Sequence, residues 1–338
     1  MSSFEQRIVT QVEIEREGLQ RVLLDDGTQA TSLTEIIGLL EVGQRVIVNT
    51  TAMDLNLGTG GYHLVHFNLD SKQGDRMRQG RVLKARYLSE QLQADVWEEQ
   101  DNEAPNVSDL TGMRVLLCQL HSHVGAIAIA TSAHRSGPVG FVMTDQASLP
   151  LAISDIVFQA KESKVLGVTV TTGQSFGGEI EAVTVASGVL ALKERNESTV
   201  IVGCGPGHLG TNSKLGFSGL ELVGHATILS KLGAKVALAV RASSTDPRER
   251  HQGVSHHTRT LLELISHSID VPIPSDVSGD AFESLGHTAM RYSDPSISGL
   301  LSESNINIQS MDRPLFEDTL ACEYLGAAAM WLAGANVV

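Results

Sequence analysis

The chain has no run of basic residues, no CxxC pair and no apolar stretch of transmembrane length, and each absence excludes a class of protein. Its 25 Lys plus Arg stand against 39 Asp plus Glu, a net charge of −14. An evenly acidic chain without a basic patch does not attract phosphate backbones, so nucleic acid is not an expected partner. The longest weakly apolar stretch, LGAAAMWLAGANVV at 325–338, falls short of the ~20 residues that span a bilayer, so no membrane is expected either. The opening MSSFEQRIVT lacks a basic stretch followed by an apolar core, so no signal peptide is expected and the location read from it is cytoplasmic. Cys118, Cys204 and Cys322 are far apart and read as buried, reduced thiols. No internal repeat or low-complexity segment stands out.

What is present is a globular composition, 42% hydrophobic and 19% charged, over 338 residues. At about 150 residues per domain that length predicts two domains. Residues 1–87 read as a small β domain, barrel-like or a curled sheet. Ile8, Val12 and Ile14 alternate with polar residues, Asp26-Gly27 is a hairpin signal, and Val46 and Val48, then Leu64, Val65 and Phe67, then Val82 and Leu83 continue the series. Gly58-Thr59-Gly60-Gly61 reads as a turn that needs positive φ. Residues 88–111, acidic and then Asn-Glu-Ala-Pro-Asn, read as a linker. From 112 to 338 short apolar runs (115–120, 139–143, 166–171, 199–202, 236–240, and weaker ones at 288–291 and 306–308) alternate with helical patterns around 149–160, 178–193 and 218–232. That alternation predicts an α/β domain with a mainly parallel, Rossmann-like sheet flanked by helices.

Almost every predicted strand runs into a loop rich in Gly, His or charge. These are the carboxyl ends of a parallel sheet, where ligands of such folds bind. His121-Ser122-His123 follows the first run. Placed on a strand, alternate residues share a face, so His121 and His123 could hold a divalent metal, with Asp145, Glu179, His256 and His257 available to complete the shell. His256 and His257 are adjacent near a helix start, so one is expected to face the pocket and the other to pack elsewhere. Gly173-Gln174-Ser175-Phe176-Gly177 matches G-x-S-x-G between a strand and a helical pattern, the context of a nucleophile elbow, although no HGGG-type loop precedes it. Gly203-Cys204-Gly205-Pro206-Gly207-His208 resembles a dinucleotide fingerprint, but Pro206 delays the helix and the next strand ends in Arg241 instead of an acid, so an anion-cradling loop with Lys214 fits better than NAD. Arg248 and Arg250, in a loop beyond a strand, suit carboxylate or phosphate; internal pairing is the bland alternative.

Several segments together resemble a known family. They are DLNLGTGGYH at 54–63, VLKARY at 82–87, LHS at 120–122, VMTD at 142–145, FGGE at 176–179, GPG at 205–207 with LGFSGLE at 215–221, and GVSHHT at 253–258. The family is bacterial and catalogued as domain of unknown function thirty-eight sixty-six. The resemblance implies no particular activity. It implies a small residue such as alanine at the position of Ser175, from which serine departs.

The expected function is that of an enzyme, a hydrolase or group transferase, acting on a small polar or anionic metabolite at the carboxyl edge of the sheet. His121, His256 or His257 would serve in acid–base roles or as ligands, Asp145 and Glu179 would orient or bind metal, and Gly173, Ser175, Gly177, Gly178, Gly205, Gly207, Lys214, Arg248 and Arg250 would contact substrate. The alternatives are a non-catalytic small-molecule sensor and a serine hydrolase using Ser175. The cofactor is open, with a divalent metal as the candidate. The partner is a small molecule; the apolar C-terminal helix with Leu325, Met330, Trp331 and Leu332 offers a homo-oligomer interface as one reading, with core packing as the commoner fate.

Overall fold

The computed structural model describes residues 2–56, 60–71, 80–100, 109–310 and 313–338. They form two compact units, Met1–Ala94 and Asp95–Val338. The boundary falls inside the stretch expected to be a linker. Leu92–Ala94 is a strand of the first unit, Trp97–Glu99 forms a turn of helix in the second, and 101–108 lie outside the described residues.

The first unit is a closed barrel of β1 (Phe4–Arg16), β2 (Leu19–Leu24), β3 (Gln29–Leu33), β4 (Arg45–Asn49) and β5 (His63–Asn68), in the order β1-β2-β3-β5-β4. Helical turns α1 (Thr34–Ile37) and α2 (Thr51–Asp54) connect its strands, and a hairpin of β6 (Val82–Lys84) and β7 (Leu92–Ala94) follows. Closure works because β1 is long and bulged: its first half pairs with β4 and its second with β2. Val9, Val22, Ala30, Val46 and Val48 fill the interior, as period-two alternation requires. Asp26-Gly27 makes the expected hairpin, with Gly27 at φ 81°. Gly60 and Gly61 have the expected positive φ, while 57–59 lie outside the described residues.

The second unit is built on eight parallel strands in the order β11-β10-β9-β12-β8-β13-β16-β17. They are β8 (Arg114–Cys118), β9 (Val139–Thr144), β10 (Leu166–Thr172), β11 (Ile180–Ala182), β12 (Thr199–Cys204), β13 (Lys235–Leu238), β16 (Asp270–Pro274) and β17 (Thr288–Tyr292). Between β13 and β16 a two-residue ladder pairs β14 (Ala242–Ser243) with β15 (Gly253–Val254). Both sheet faces are covered. Val115 and Leu117 pack toward α5 (Val185–Glu194), α6 (Leu222–Lys231), α7 (His256–Leu264) and α8 (Asp280–Glu283), whereas Leu116 and Cys118 pack toward α3 (His121–His134), α4 (Asp155–Glu162), α9 (Ser298–Glu303) and α10 (Thr319–Ala333). Doubly covered parallel strands explain why the strand runs are continuously apolar.

Two strands escaped the sequence patterns. Ile180–Ala182 is too short to stand out from the helical pattern it precedes, and Asp270–Pro274 is broken by two prolines. The run 306–308 is not a sheet strand; beyond it β18 (Gln309–Ser310) and β19 (Arg313–Pro314) form a separate ladder. The apolar side chains of α10 are occupied within the chain. Leu325, Trp331 and Leu332 are buried and Met330 packs against the same core. Trp331 Nε1 donates to Asp270 at 2.7 Å, and the Arg114 guanidinium lies 4.6 Å over its ring. All three cysteines are free and buried, on β8, β12 and α10. Burial pushes Cys204 up to about 12 and Cys322 up to about 11, as expected of inert thiols. Among the described residues no helix is long and apolar enough to cross a membrane.

Candidate functional site

Topology locates a crevice. From β8 the chain crosses through α3 to β9 on one side; from β12 it crosses through α6 to β13 on the other. α3 and α6 lie on opposite faces, so the carboxyl ends of β12, β8 and β13 open between diverging connections, a topological switch point.

The β14–β15 ladder decides what gathers there. Ala242 pairs with Val254, which folds the intervening loop back and returns the start of α7 beside Arg241. Thr258 Oγ1 accepts from Gln119 Nε2 at 2.8 Å and from the Arg241 backbone N–H at 3.0 Å, fixing α7 to the ends of β8 and β13. Ser255 caps α7, its Oγ accepting from the His257 N–H and lying 2.7 Å from His251 Nδ1. The rings of His251, His256 and His257 are therefore packed together at centroid distances of 4.3 to 5.0 Å. The segment after β12 brings His208 to 5.7 Å from His257 and stacks Phe217 on it at 4.0 Å.

Arg241 Nη1 donates to His257 Nδ1 at 3.1 Å. A guanidinium can only donate, so Nδ1 holds the lone pair and the neutral ring carries its proton on Nε2. His257 is 1% exposed and its Nε2 has no hydrogen-bond partner. The same is true of both ring nitrogens of His208, Nε2 of His256, Nε of Arg250, Nδ1 of His123 and Oε1 of Gln119. Buried polar atoms are almost always satisfied, so their concentration in one place is unusual. Arg241 also lines, with His123, Ser243, Asp246, Arg313 and Asp318, a cavity of about 30 Å3, room for one water.

The charge is as uneven as the hydrogen bonding. Asp246 takes Arg248 in a two-pronged contact at 2.8 and 2.9 Å and lies 3.8 Å from Arg241. Burial works to raise its pKa, but the hydrogen bonds and charge of Arg248 outweigh it and hold the group down at about 2. Burial and the charge of Arg241 lower His257 to about 2, His251 to about 3 and, with Arg248, His208 to about 4. Burial and then Arg250 lower His256. These histidines are neutral at pH 7. Burial, followed by Arg248, also lowers Arg241, to about 10.

His251, His256 and His257 each offer a ring nitrogen within 4.8 Å of the others, which makes them the one candidate metal cluster among the described residues. A tetrahedral zinc site brings its ligand atoms to about 3.4 Å of one another, and each ligating nitrogen needs a free lone pair. The lone pair of His257 is engaged by Arg241, and the surrounding guanidiniums repel cations. This donor set suits an anion better than a metal.

The sequence-predicted residues fall into three groups. His256, His257 and Arg250 are in the cluster, together with Arg248, whose guanidinium is committed to Asp246. Both histidines belong to it: His257 is buried and His256 half-buried, so the expected division between a pocket residue and a packing residue does not hold. A second group surrounds the ends of β9 and β10. Asp145 accepts the Gln174 N–H at 2.9 Å and fills the space where a Cβ on Gly173 would lie. Gly177 N–H donates to Glu181 and Gly178 N–H to Thr171. Ser175 is fully buried and its Oγ donates to the Thr144 carbonyl at 2.8 Å. The loop leads into strand β11 and not into a helix, so the elbow geometry is absent and the serine is a packed structural hydroxyl. Gly205 rests against the Ser148 carbonyl, which a Cβ would approach to 2.7 Å, and Gly207 needs its φ of 93°.

Of the remaining predicted residues, His123 lines the small cavity with Arg241, its Nδ1 without a partner, and the others are engaged elsewhere. His121 and His123 start helix α3 and are not on a strand, so they do not share a face. His121 donates from Nδ1 to the Cys204 carbonyl at 2.9 Å and accepts the Ser154 hydroxyl at Nε2 at 2.6 Å, leaving neither nitrogen for a metal. Glu179 pairs with Lys161 and accepts the Thr169 N–H beside β10. Lys214 pairs with Glu263 at the surface.

The residues not selected from the sequence are Arg241, His208 and His251. Each follows a strand or lies in a loop already marked as polar. The signal that could have found them is the recurrence of His and Arg between 241 and 257, which suits a convergent site better than a solvated loop.

Comparison with protein-family models matches residues 29–329 to the family described as "Protein of unknown function (DUF3866)", and the chain belongs to that family. A search of curated proteins found no match.

Proposed function

We propose that the protein binds a small polar metabolite at the switch point of its parallel sheet and acts on it by hydrolysis or group transfer. One observation carries this reading. Four histidines and three arginines from separate segments converge where β12, β8 and β13 end, and the polar atoms they bury there lack partners. Such atoms cost about 1–3 kcal/mol each when nothing satisfies them, so a protein that keeps several together uses them for a ligand. His256 is half-buried and neutral, which suits proton exchange with substrate and solvent. His257 is a poor base, because its imidazolium is strongly disfavoured, and supports this reading as a hydrogen-bond donor.

The test is turnover of a mixed metabolite extract followed by mass spectrometry. At least one compound is expected to be consumed by the native chain, and its consumption to fall by two orders of magnitude or more in His256→Ala (about 3 kcal/mol). An extract left unchanged by the native chain, or consumed equally by the variant, overturns the assignment.

A further inference from the structure

We infer that the switch-point cluster seats a dianionic phosphoryl group, held by Arg250, by the Nε2–H of His257 and by His208; this rests on the ligand site proposed above and names the chemistry it recognises. The first support is a charge count. Arg241 and Arg248 face the buried carboxylate of Asp246, Arg250 adds a third positive charge that acts on Arg241, Glu249 is exposed, and Asp318 and Arg313, which line the cavity beside Arg241, cancel in charge. The neighbouring histidines are neutral, so an excess of two positive charges sits around one buried and two half-buried guanidiniums within a chain of net charge −14. Arg241 is only 8% exposed. Buried charge is retained where something of opposite sign meets it, and one carboxylate cannot meet three guanidiniums.

The second support is the sense of the unsatisfied groups. Because Arg241 occupies Nδ1, the open nitrogen of His257 is a donor that needs an acceptor. Nε of Arg250 is also a donor without a partner, and neutral His208 supplies one N–H from a ring neither of whose nitrogens is bonded. Three donors match the three terminal oxygens of a phosphoryl group, which carries about −1.5 to −2 at neutral pH. A single carboxylate leaves one positive charge unmatched, and a metal ion would meet a donor N–H and repelling guanidiniums.

The third support is local packing. A Cβ built on Gly210 would stand 3.1 Å from Cε1 and 3.7 Å from Nε2 of His257, so any side chain at this position would press on the donor edge of the ring.

Isothermal titration of the full chain, dialysed free of anions, tests the inference with four probes: inorganic phosphate, glycerol phosphate, acetate and zinc chloride. Saturable binding of inorganic phosphate or glycerol phosphate is expected. It should weaken about tenfold or more in Arg250→Gln, which loses one charge-assisted contact, and in Gly210→Val, which walls off the His257 donor without changing charge. Two independent variants keep the test valid if one of them fails to fold. No saturable phosphoryl binding up to about 10 mM overturns the inference, as do affinities unchanged in both variants. Acetate binding as tightly as phosphate, or stoichiometric zinc binding lost in His251→Ala, also overturns it. Any of these outcomes alongside His256-dependent turnover would remove the phosphoryl assignment and leave the proposed ligand site standing.

Discussion

Two clusters of polar residues lie at strand exits of the same sheet, and they differ in how far they are satisfied. At the ends of β9 and β10, Ser175 donates to Thr144, Asp145 accepts from Gln174, and the N–H groups of Gly177 and Gly178 reach Glu181 and Thr171. At the ends of β12, β8 and β13, buried donors on Arg250, His208 and His257 lack partners, and Arg241 and Arg248 share Asp246. The first cluster is finished structure. The second leaves several buried polar atoms without partners. Motif strength pointed the other way, since G-x-S-x-G is a sharper pattern than scattered histidines. A motif reports residue types, whereas function depends on which of their atoms are left without partners.

The largest expected effect comes from removing the acid that pairs with Arg241 and Arg248 in the second cluster. Asp246→Asn leaves Arg241, Arg248 and Arg250 facing one another without their buried counter-charge. Breaking such a pair costs about 3–5 kcal/mol. Urea unfolding should show that loss. The matching change in the first cluster, Asp145→Asn, removes one acceptor at a half-buried site and should cost only about 1 kcal/mol. Equal losses in the two variants would erase the contrast between the clusters.

Acidification should produce the next largest effect. Burial lowers the pKa of His121 to about 4 and, with the charges of Arg241 and His208, that of His123 to about 3. Their unfolded value is about 6.5. Between the folded and unfolded values the unfolded chain binds more protons, so stability is full above pH 6.5 and falls as the pH drops below it. From pH 7 to pH 5 each of these two buried rings should remove about 2 kcal/mol. In His121→Asn the slope of stability against pH over that window should shrink by one proton. An unchanged slope would mean that the ring is not held neutral between Cys204 and Ser154.

The contrast between what was legible in the sequence and what was not has physical causes. Barrel alternation at Val46 and Val48, and the continuous runs at 115–120, 139–143 and 199–202, are consequences of burying one sheet face or two, and both patterns are written residue by residue; on the bulged β1 the alternation of Ile8, Val12 and Ile14 misled, because Ile8 and Ile14 are exposed and Val9 is the buried residue. The rim of the sheet was legible for the same reason, because a parallel strand must end in a loop. The membership of the site was not. On a strand His121 and His123 would share a face, but β8 ends at Cys118 and α3 begins at His121, and two residues along a helix the side chains are opposed instead. Arg241 meets His257 because a two-residue ladder, too short to leave a periodicity, closes the loop between them. Glu179 and Lys214 looked available because their partners Lys161 and Glu263 are far away in sequence.

Within the first cluster, Ser175→Ala gives an effect of the same size as Asp145→Asn and smaller than those of Asp246→Asn and acidification. The serine is fully buried and its hydroxyl is tied to the Thr144 carbonyl at 2.8 Å, so its removal leaves a buried acceptor one donor short. Alanine fits the space with little cavity, and the loss should be about 1 kcal/mol in urea unfolding, without labelling of the native chain at this position by a fluorophosphonate. Covalent labelling of Ser175 would overturn the structural role given to it.

Arg250→Gln should have the smallest effect on stability and is the most informative for that reason. In a satisfied cluster, removing a half-buried arginine breaks pairs and costs free energy. Here Arg250 has no ion pair among those identified in the described residues, its Nε is buried without a partner, and its charge acts against Arg241 and His256. Glutamine removes the repulsion and shortens the side chain. The thermal unfolding midpoint of the anion-free variant should therefore stay within the narrow range of ordinary surface changes, about 0.5 kcal/mol either way, or rise. Added phosphate should raise the midpoint of the native chain and do so far less for the variant, because stabilisation by a ligand follows its affinity. A marked drop in the anion-free midpoint would show that Arg250 already has its partner, and the second cluster would then be as complete as the first.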